Sequence, residues 1–344
     1  MQVGEGIGIK YMAKTLKQKP IKVLSLFDGI SCARVALERA GIPVEVYYAS
    51  EIDKYAIQIS KKNWIDIFHI GDIKNIKYDN ERMLPYGLGW GIGDNVPKGI
   101  DLLIGGSPCQ DLSIAKKNRK GLSGERSSLF WEYVRILKEV KPKYFILENV
   151  NSMPKEAKDL ITKTLGVEPI MINASLVSAQ NRKRLFWTNI PNVTQPEDKG
   201  IFLKDILENG TVDRFKSYCI DANYWKGASW KQYKEKGRRQ LVKLGDIFPS
   251  GAQAGRVYSS NGKSVALSAL GGGSGAKTGL YVTKHTHETG AELEAIRKLT
   301  PIECERLQGL PDNYTEGVSN TQRYKCLGNA FNVDVVAHIL SFIP

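Results

Sequence analysis

The sequence predicts an α/β protein with a mostly parallel sheet and a second, smaller β-rich domain, and three observations carry that prediction. Short apolar runs rich in β-branched residues alternate with helical patterns from Ile21 to Leu147, and strands that alternate with helices make a parallel sheet with right-handed crossovers. Side chains able to do chemistry fall just past the ends of those runs, where open sheets of this kind bind ligands. Near Thr194 the composition turns Gly-rich with short strands, as in SGAQAGRVYSSNGKSVALSALGGGSGAKTGLYV, and helical, apolar patterning returns at Ala295.

Residues Met1 to Pro20 carry Lys10, Lys14, Lys17 and Lys19 without an apolar core of signal-peptide length, and read as a basic tail. Ile21 to Leu26 (IKVLSL) is the first strand; the turn Phe27, Asp28, Gly29 follows, then a helical pattern from Ala33 to Ala40. A second strand, Val44 to Ala49, ends at Glu51. A third, around Ile65 to Ile70, ends at Gly71 and Asp72. After a Gly-rich interruption from Tyr86 to Gly99, Leu102 to Ile104 is a fourth strand and delivers IGGSPCQDLS, which holds Cys109. A helix from Leu129 to Val140 leads to Tyr144 to Leu147 (YFIL), which delivers Glu148. The expected division is a tail over residues 1–20, a main domain over 21–192 and 295–344, and an insert over 193–294.

Lys plus Arg number 49 against 36 Asp plus Glu, a net charge of +13, which favours phosphate-rich partners or a basic, solubilising surface. No run of about 18 apolar residues occurs, so no transmembrane helix is expected. Five cysteines without a CxxC pair suggest neither a zinc site nor a disulfide framework, and no metal is expected. A reducing cytoplasm fits this usage.

The first turn, FDGISC, lacks the G-x-G-x-x-G dinucleotide fingerprint, which argues against a nicotinamide-dependent dehydrogenase. An acid after the second strand is nevertheless placed to hold ribose hydroxyls. Glu51 fits that role, and Asp72 is placed to accept from an adenine amino group. Either acid alone is more often a helix cap. Together they suggest a nucleoside cofactor without a diphosphate, such as S-adenosylmethionine. Cys109 follows a proline that stiffens its approach, and the next loop, KKNRKGLSGER, is strongly basic. A thiol titrates at about 8.5 unless its surroundings lower it. A cysteine nucleophile, a nearby acid and a basic lid suit attack on an electron-poor ring.

GGSPCQDLS, ENV (Glu148 to Val150), QNRKR (Gln180 to Arg184), LTPIECERLQGLP (Leu299 to Pro311) and GNAFNVDVV (Gly328 to Val336) occur in the order found in DNA (cytosine-5) methyltransferases. The chain resembles that family from about Ile21 to Ile339 except for the insert, and its motifs are most similar to the de novo-type branch. The resemblance implies a Rossmann-like, S-adenosylmethionine-dependent methyltransferase sheet with one antiparallel strand and a small β-rich target-recognition domain. Cys109 would add to carbon 6 of a flipped cytosine, and Glu148 would hydrogen-bond ring nitrogen 3 and the exocyclic amine. Arg184 would bind the base oxygen; Arg182 would support the loop or the neighbouring acid. For the cofactor the resemblance points to Phe27 and Gly29 with Asp28 and Ile30, to Glu51 with Ile52, and to Asp72 with Ile73. Pro108 and Leu129 would line the pocket, and Asn329 with Ala330 would close it. Many relatives have serine where this chain has Ala330.

The implied partner is double-stranded DNA, with a cognate restriction endonuclease in view, no membrane, and a monomeric chain. Length without an added reader domain fits a stand-alone prokaryotic or phage-like enzyme, in a bacterial cell or an infected host. Two alternatives stand beside this: a tRNA cytosine-5 methyltransferase, whose PCQ motif usually continues differently, and a non-catalytic DNA-binding paralogue, which typically loses the cysteine or the cofactor acids.

Overall fold

Near-continuous apolar strands need both faces covered, and the first strand shows the principle: Val23, Leu24, Ser25 and Leu26 are all buried. The computed structural model describes residues 19–79, 82–85, 99–107, 129–227, 233, 235–246, 257–259, 280–282 and 294–344. The basic tail, nearly all of the Tyr86 to Gly99 interruption, Pro108, Cys109 with its basic loop, and most of the Gly-rich stretch 250–282 within the insert lie outside the described residues.

The elements of the main sheet are β1 (Ile21–Leu26), β2 (Val44–Ser50), β3 (Ile67–His69), β6 (Leu102–Gly105), β7 (Tyr144–Val150), β8 (Ile170–Asn173) and β9 (Lys183–Thr188); a separate antiparallel pair, β4 (Ile76–Asp79) and β5 (Arg82–Pro85), precedes β6. The spatial order of the seven-stranded sheet is β3-β2-β1-β6-β7-β9-β8. The strand order reverses between β1 and β6, which are parallel neighbours. That is the switch point at whose carboxyl ends ligands bind in open sheets. β9 runs antiparallel to both β7 and β8, giving the one antiparallel strand expected.

Helices α1 (Cys32–Arg39), α2 (Lys54–Asn63) and α7 (Val333–Leu340) cover one face. α3 (Leu129–Val140) and α4 (Lys155–Leu165) cover the other, with Phe130, Tyr133, Val134, Ile136 and Ile161 buried beneath them. α2 begins where the Asp53 side chain accepts from the Tyr55 and Ala56 amides, a cap worth about 1 kcal/mol. α5 (Pro301–Gln308) and α6 (Asn320–Asn329) complete the C-terminal part.

Two expectations are corrected. Glu148 does not lie past a strand end; it lies inside β7, which runs three residues beyond Leu147 because Ile146 to Val150 pair with β9. Nor does helix resume at Ala295. Residues Glu294–Lys298 form β13, antiparallel to β10 (Leu241–Asp246), and helix begins only at Pro301, where Thr300 and Glu303 form a capping box. Two further short strands of the insert, β11 (Val257–Ser259) and β12 (Leu280–Val282), pair in parallel.

One carboxylate joins chain from before and after the Gly-rich stretch. Glu303 is fully buried. Its Oε1 accepts from the Glu208 amide at 2.8 Å and Arg297 Nη2 at 2.7 Å; its Oε2 accepts from Arg297 Nη1 at 2.7 Å and the Thr300 amide at 2.8 Å. A buried charge persists only when paired and hydrogen-bonded, and here the outgoing and returning chain supply all four donors.

Candidate active site

The cofactor side is built first by an unusual turn. Phe27, Gly29 and Ser31 all have positive φ, at 56°, 61° and 61°, and each non-glycine in that region costs roughly 1–2 kcal/mol. The turn is held by Asp28, whose side chain points inward. Tyr47 donates its hydroxyl to Asp28 Oδ1 at 2.7 Å and Ser31 donates to Oδ2 at 2.5 Å; Ser31 in turn contacts Ser60 at 2.6 Å, and Ser60 lies 3.3 Å from His69 Nε2. Burial pushes the Asp28 carboxyl above its ordinary range, against the hydrogen bonds it accepts. Its side chain is therefore a brace for the turn, and a ligand there meets the backbone and not the carboxylate.

Glu51 faces the same turn. Its Oε2 accepts from the Gly29 amide at 2.8 Å, and Oε1 from the Ile52 and Asp53 amides at 2.7 and 2.8 Å. Burial raises its pKa and these amides oppose the rise. Oε1 carries two donors and Oε2 one, so the carboxylate keeps acceptor capacity for a hydroxyl. Next to it Ile52 stands 71% exposed, an apolar side chain left to pack against a flat ring. Asp72 accepts from the Lys74 amide at 3.0 Å, capping a short 3-10 turn, while Ile73 beneath is buried. Asp53 also pairs with Lys325 of α6 at 2.7 Å, bringing the returning segment to this rim. Leu129 opens α3, Ile30 is buried in the core, and Asn329 ends α6 at the surface.

These residues fit S-adenosylmethionine: a carboxylate with residual acceptor capacity, an exposed apolar side chain and a glycine turn, with no glycine-rich diphosphate cradle. When bound, that group supplies an electrophilic methyl on a sulfonium.

The second half of the site opens beside β7. A small, partly open cavity is lined by Glu148, Ile172, Ala174, Arg182, Arg184, Phe186, Phe331, Asn332 and Val335. Arg184 Nε pairs with Glu148 Oε1 at 2.8 Å; β9 brings the two together because Val150 of β7 is registered with Arg184. The Gly106 position is closed to any larger residue, since a Cβ there would lie 2.8 Å from Phe331 and 3.2 Å from Glu148 Oε2. Asn149, buried next to Glu148, donates to the Ser107 hydroxyl at 3.2 Å. It thereby ties β7 to the chain that continues into Pro108 and Cys109.

Arg182 is a structural anchor. It is 3% exposed and donates to the carbonyls of Ile220 at 3.1 Å, Gly328 at 3.3 Å and Ala330 at 2.7 Å. Burial, then the neighbouring charge of Arg184, hold its pKa below the ordinary guanidinium range. Expected to support the loop or the neighbouring acid, it places these hydrogen bonds on backbone carbonyls of two distant segments. Ala330, just past the end of α6, has its carbonyl engaged by Arg182. Gly328 is where backbones touch: a Cβ there would lie 2.2 Å from the Asp221 carbonyl carbon.

Sequence reasoning missed the apolar lining, Phe186 and Phe331 above all, and it missed Cys219. QNRKR flags its arginines, whereas nothing in SYCIDA marks the cysteine. Among the described residues, no helix is long and apolar enough to cross a membrane, and no group of three His, Cys, Asp or Glu is placed to hold a metal ion.

Fold and site define an α/β group-transfer enzyme with a nucleoside-binding rim on one side of the switch point and a pocket lined by Glu148 and Arg184 on the other. Residues 21–343 match the model of the C-5 cytosine-specific DNA methylases, and the chain belongs to that family. It is 31% identical over 343 residues to the type II methyltransferase M.HhaI of Haemophilus parahaemolyticus, covering 93% of each chain. It is 26% identical to the orphan methyltransferase M.SPRI of Bacillus phage SPR, covering 93% of this chain and 96% of that one. Among solved structures it is similar in fold to Dnmt2 methyltransferase of S. pombe, with a TM-score of 0.51 at 17% identity, covering 93% of this chain and 97% of that one. A protein assigned as a DNA modification methyltransferase from an E. coli prophage gives a TM-score of 0.56 at 20% identity, covering 94% and 98%.

Proposed function

We propose that Cys109 is the covalent nucleophile, that Glu148 and Arg184 hold the target cytosine, and that the base enters the cavity rotated out of double-stranded DNA. The observation that carries this is the Glu148–Arg184 pair, 2.8 Å apart and facing a partly open cavity, beside the strand end that leads through Ser107 to Cys109. Carbon 6 is inaccessible in a stacked duplex, and rotating the base out costs a few kcal/mol. Thiolate addition at carbon 6 makes carbon 5 nucleophilic. Glu148 hydrogen-bonds ring nitrogen 3 and the exocyclic amine, and Arg184 places positive charge at the base oxygen, where electron density builds. Once carbon 5 is methylated, loss of its proton expels the Cys109 sulfur.

On the rim, Phe27, Gly29, Glu51, Ile52, Asp72 and Ile73 hold the cofactor, with Asp28 acting through the turn. Pro108, Leu129, Asn329 and Ala330 close it. Residues 193–294 are the target-recognition domain, and the net charge of +13 favours the phosphate backbone. A monomer marking DNA in a bacterial or phage-infected cytoplasm, alone or beside a cognate endonuclease, is the setting this suits.

Bisulfite sequencing of a mixed-sequence duplex, after incubation with the protein and S-adenosylmethionine, tests the reading. Protected cytosines in one short context are expected. Protection of tRNA alone would replace DNA as substrate, and no protection of either would reduce the chain to a binding protein.

A further inference from the structure

Cys219 stands where two guanidiniums converge. Arg182 Nη1 lies 3.4 Å from its sulfur and Arg184 Nη2 lies 3.9 Å away, both within donating distance of a sulfur lone pair. The thiol's own hydrogen is directed at the Ile220 carbonyl, 3.5 Å from the sulfur. The two arginines carry like charge and flank residue 183 on the same strand approach, so an electron-rich atom between them relieves their repulsion. Arg184 reaches Glu148 with its Nε at 2.8 Å, and Arg182 reaches Ala330 and Gly328. The sulfur thus joins the group that faces the base to the group that holds the loops. Burial raises the thiol's pKa, but the adjacent charges of Arg182 and Arg184 outweigh it and leave the pKa below its ordinary value. Polarisation toward thiolate strengthens the same contacts.

We propose that Cys219 is a positioning residue for methyl transfer: its sulfur braces Arg182 and Arg184 so that the Arg184–Glu148 pair is set before the cytosine arrives. This rests on the reading that Glu148 and Arg184 engage the base. Cys219 itself touches neither base nor cofactor in this scheme. It acts through Arg184.

The test uses the full chain, tritiated S-adenosylmethionine and unmodified duplex DNA. Cys219→Val removes the acceptor at the cost of a somewhat larger, branched side chain, whose packing effect the melting temperature reads, while Cys219→Ser keeps an acceptor. The expected result is a fall in kcat of about tenfold for the valine variant, the scale of one charge-assisted contact, with KM for DNA changed by less than about threefold on the same grounds. Melting temperature and cofactor affinity should stay at wild-type values, and the serine variant should recover most of the rate. Full activity in Cys219→Val overturns the proposal. So does a parallel loss in both variants accompanied by a lowered melting temperature, which is the mark of packing alone. Glu148→Gln and Arg184→Ala, measured alongside, separate the levels: if they retain wild-type kcat, the base-binding reading itself has failed; if they lose it while Cys219→Val does not, only the brace has.

Discussion

The cofactor rim and the proposed base pocket lie on the same sheet but are held together in opposite ways. On the rim, Gly29 and Glu51 are 22 residues apart and Asp28 and Tyr47 only 19; the bonds are backbone amides and short side chains within one βαβ stretch. In the pocket, Arg182 and Ala330 are 148 residues apart and Arg182 and Ile220 are 38. The rim is therefore preset by local structure, whereas the pocket exists only once β7, β9, the start of the insert and the end of α6 have docked. Damage to the rim should remain local. Damage to the pocket supports should spread.

The largest effect is expected at Cys109. Cys109→Ala should lower methyl transfer on the order of 10⁴-fold or more, as loss of a covalent nucleophile does, while calorimetric binding of S-adenosylmethionine is unchanged; equal turnover would sink the covalent mechanism and with it the division between the two halves. Glu148→Gln comes next, with kcat down about 10²- to 10³-fold from one lost transition-state contact. Glutamine is chosen because alanine would leave the Arg184 charge buried beside an empty site, a disruption that alone costs about 3–5 kcal/mol.

On the rim, Glu51→Ala should weaken cofactor binding about 10- to 100-fold, the scale of hydrogen bonds to a charged group, while kcat at saturating cofactor changes little. Because burial raises the Glu51 pKa, wild-type affinity should fall as pH drops through that raised value, before carboxylates of ordinary pKa protonate. Calorimetry across that range checks the direction, and a flat profile would argue that the carboxylate does not carry the ribose.

Gly328→Ala probes the supports. A methyl 2.2 Å from the Asp221 carbonyl carbon forces backbone apart, which typically costs about 1–3 kcal/mol. The melting temperature and kcat should fall together, with cofactor affinity the less affected. The smallest effect is at Asp28. Its raised pKa means the folded state binds the proton more tightly than the unfolded state. That stability is fully present below the unfolded value, near ~3.9, and is lost as pH rises through the folded one. Asp28→Asn removes this loss, so its melting temperature relative to wild type should rise with pH across that window.

Local physics made the rim legible from sequence. An apolar run, a glycine turn and an acid at the next strand end are short-range signals, and they located Glu51 and Asp72 before any family resemblance was needed. Asp28 carried the same signal, yet its carboxylate turned inward; only the positions of Tyr47 and Ser31 decide that. The apolar run YFIL ends at Leu147, which puts Glu148 past a strand end in sequence. Antiparallel pairing with β9, invisible in YFILENV alone, extends the strand through it. The helical reading from Ala295 failed for the same reason, since β10 lies some fifty residues earlier. The pocket lined by Glu148 and Arg184 is marked in sequence by motifs and not by packing: QNRKR holds both arginines, but which one anchors loops and which meets Glu148 depends on contacts across as many as 148 residues.

The four donors gathered on Glu303 bear on how two distant stretches of chain are kept together. Glu208 and Arg297 stand on either side of the Gly-rich stretch, and both bond one buried carboxylate. The chain between them is thereby closed into a single loop at its base, its two ends held at a fixed separation.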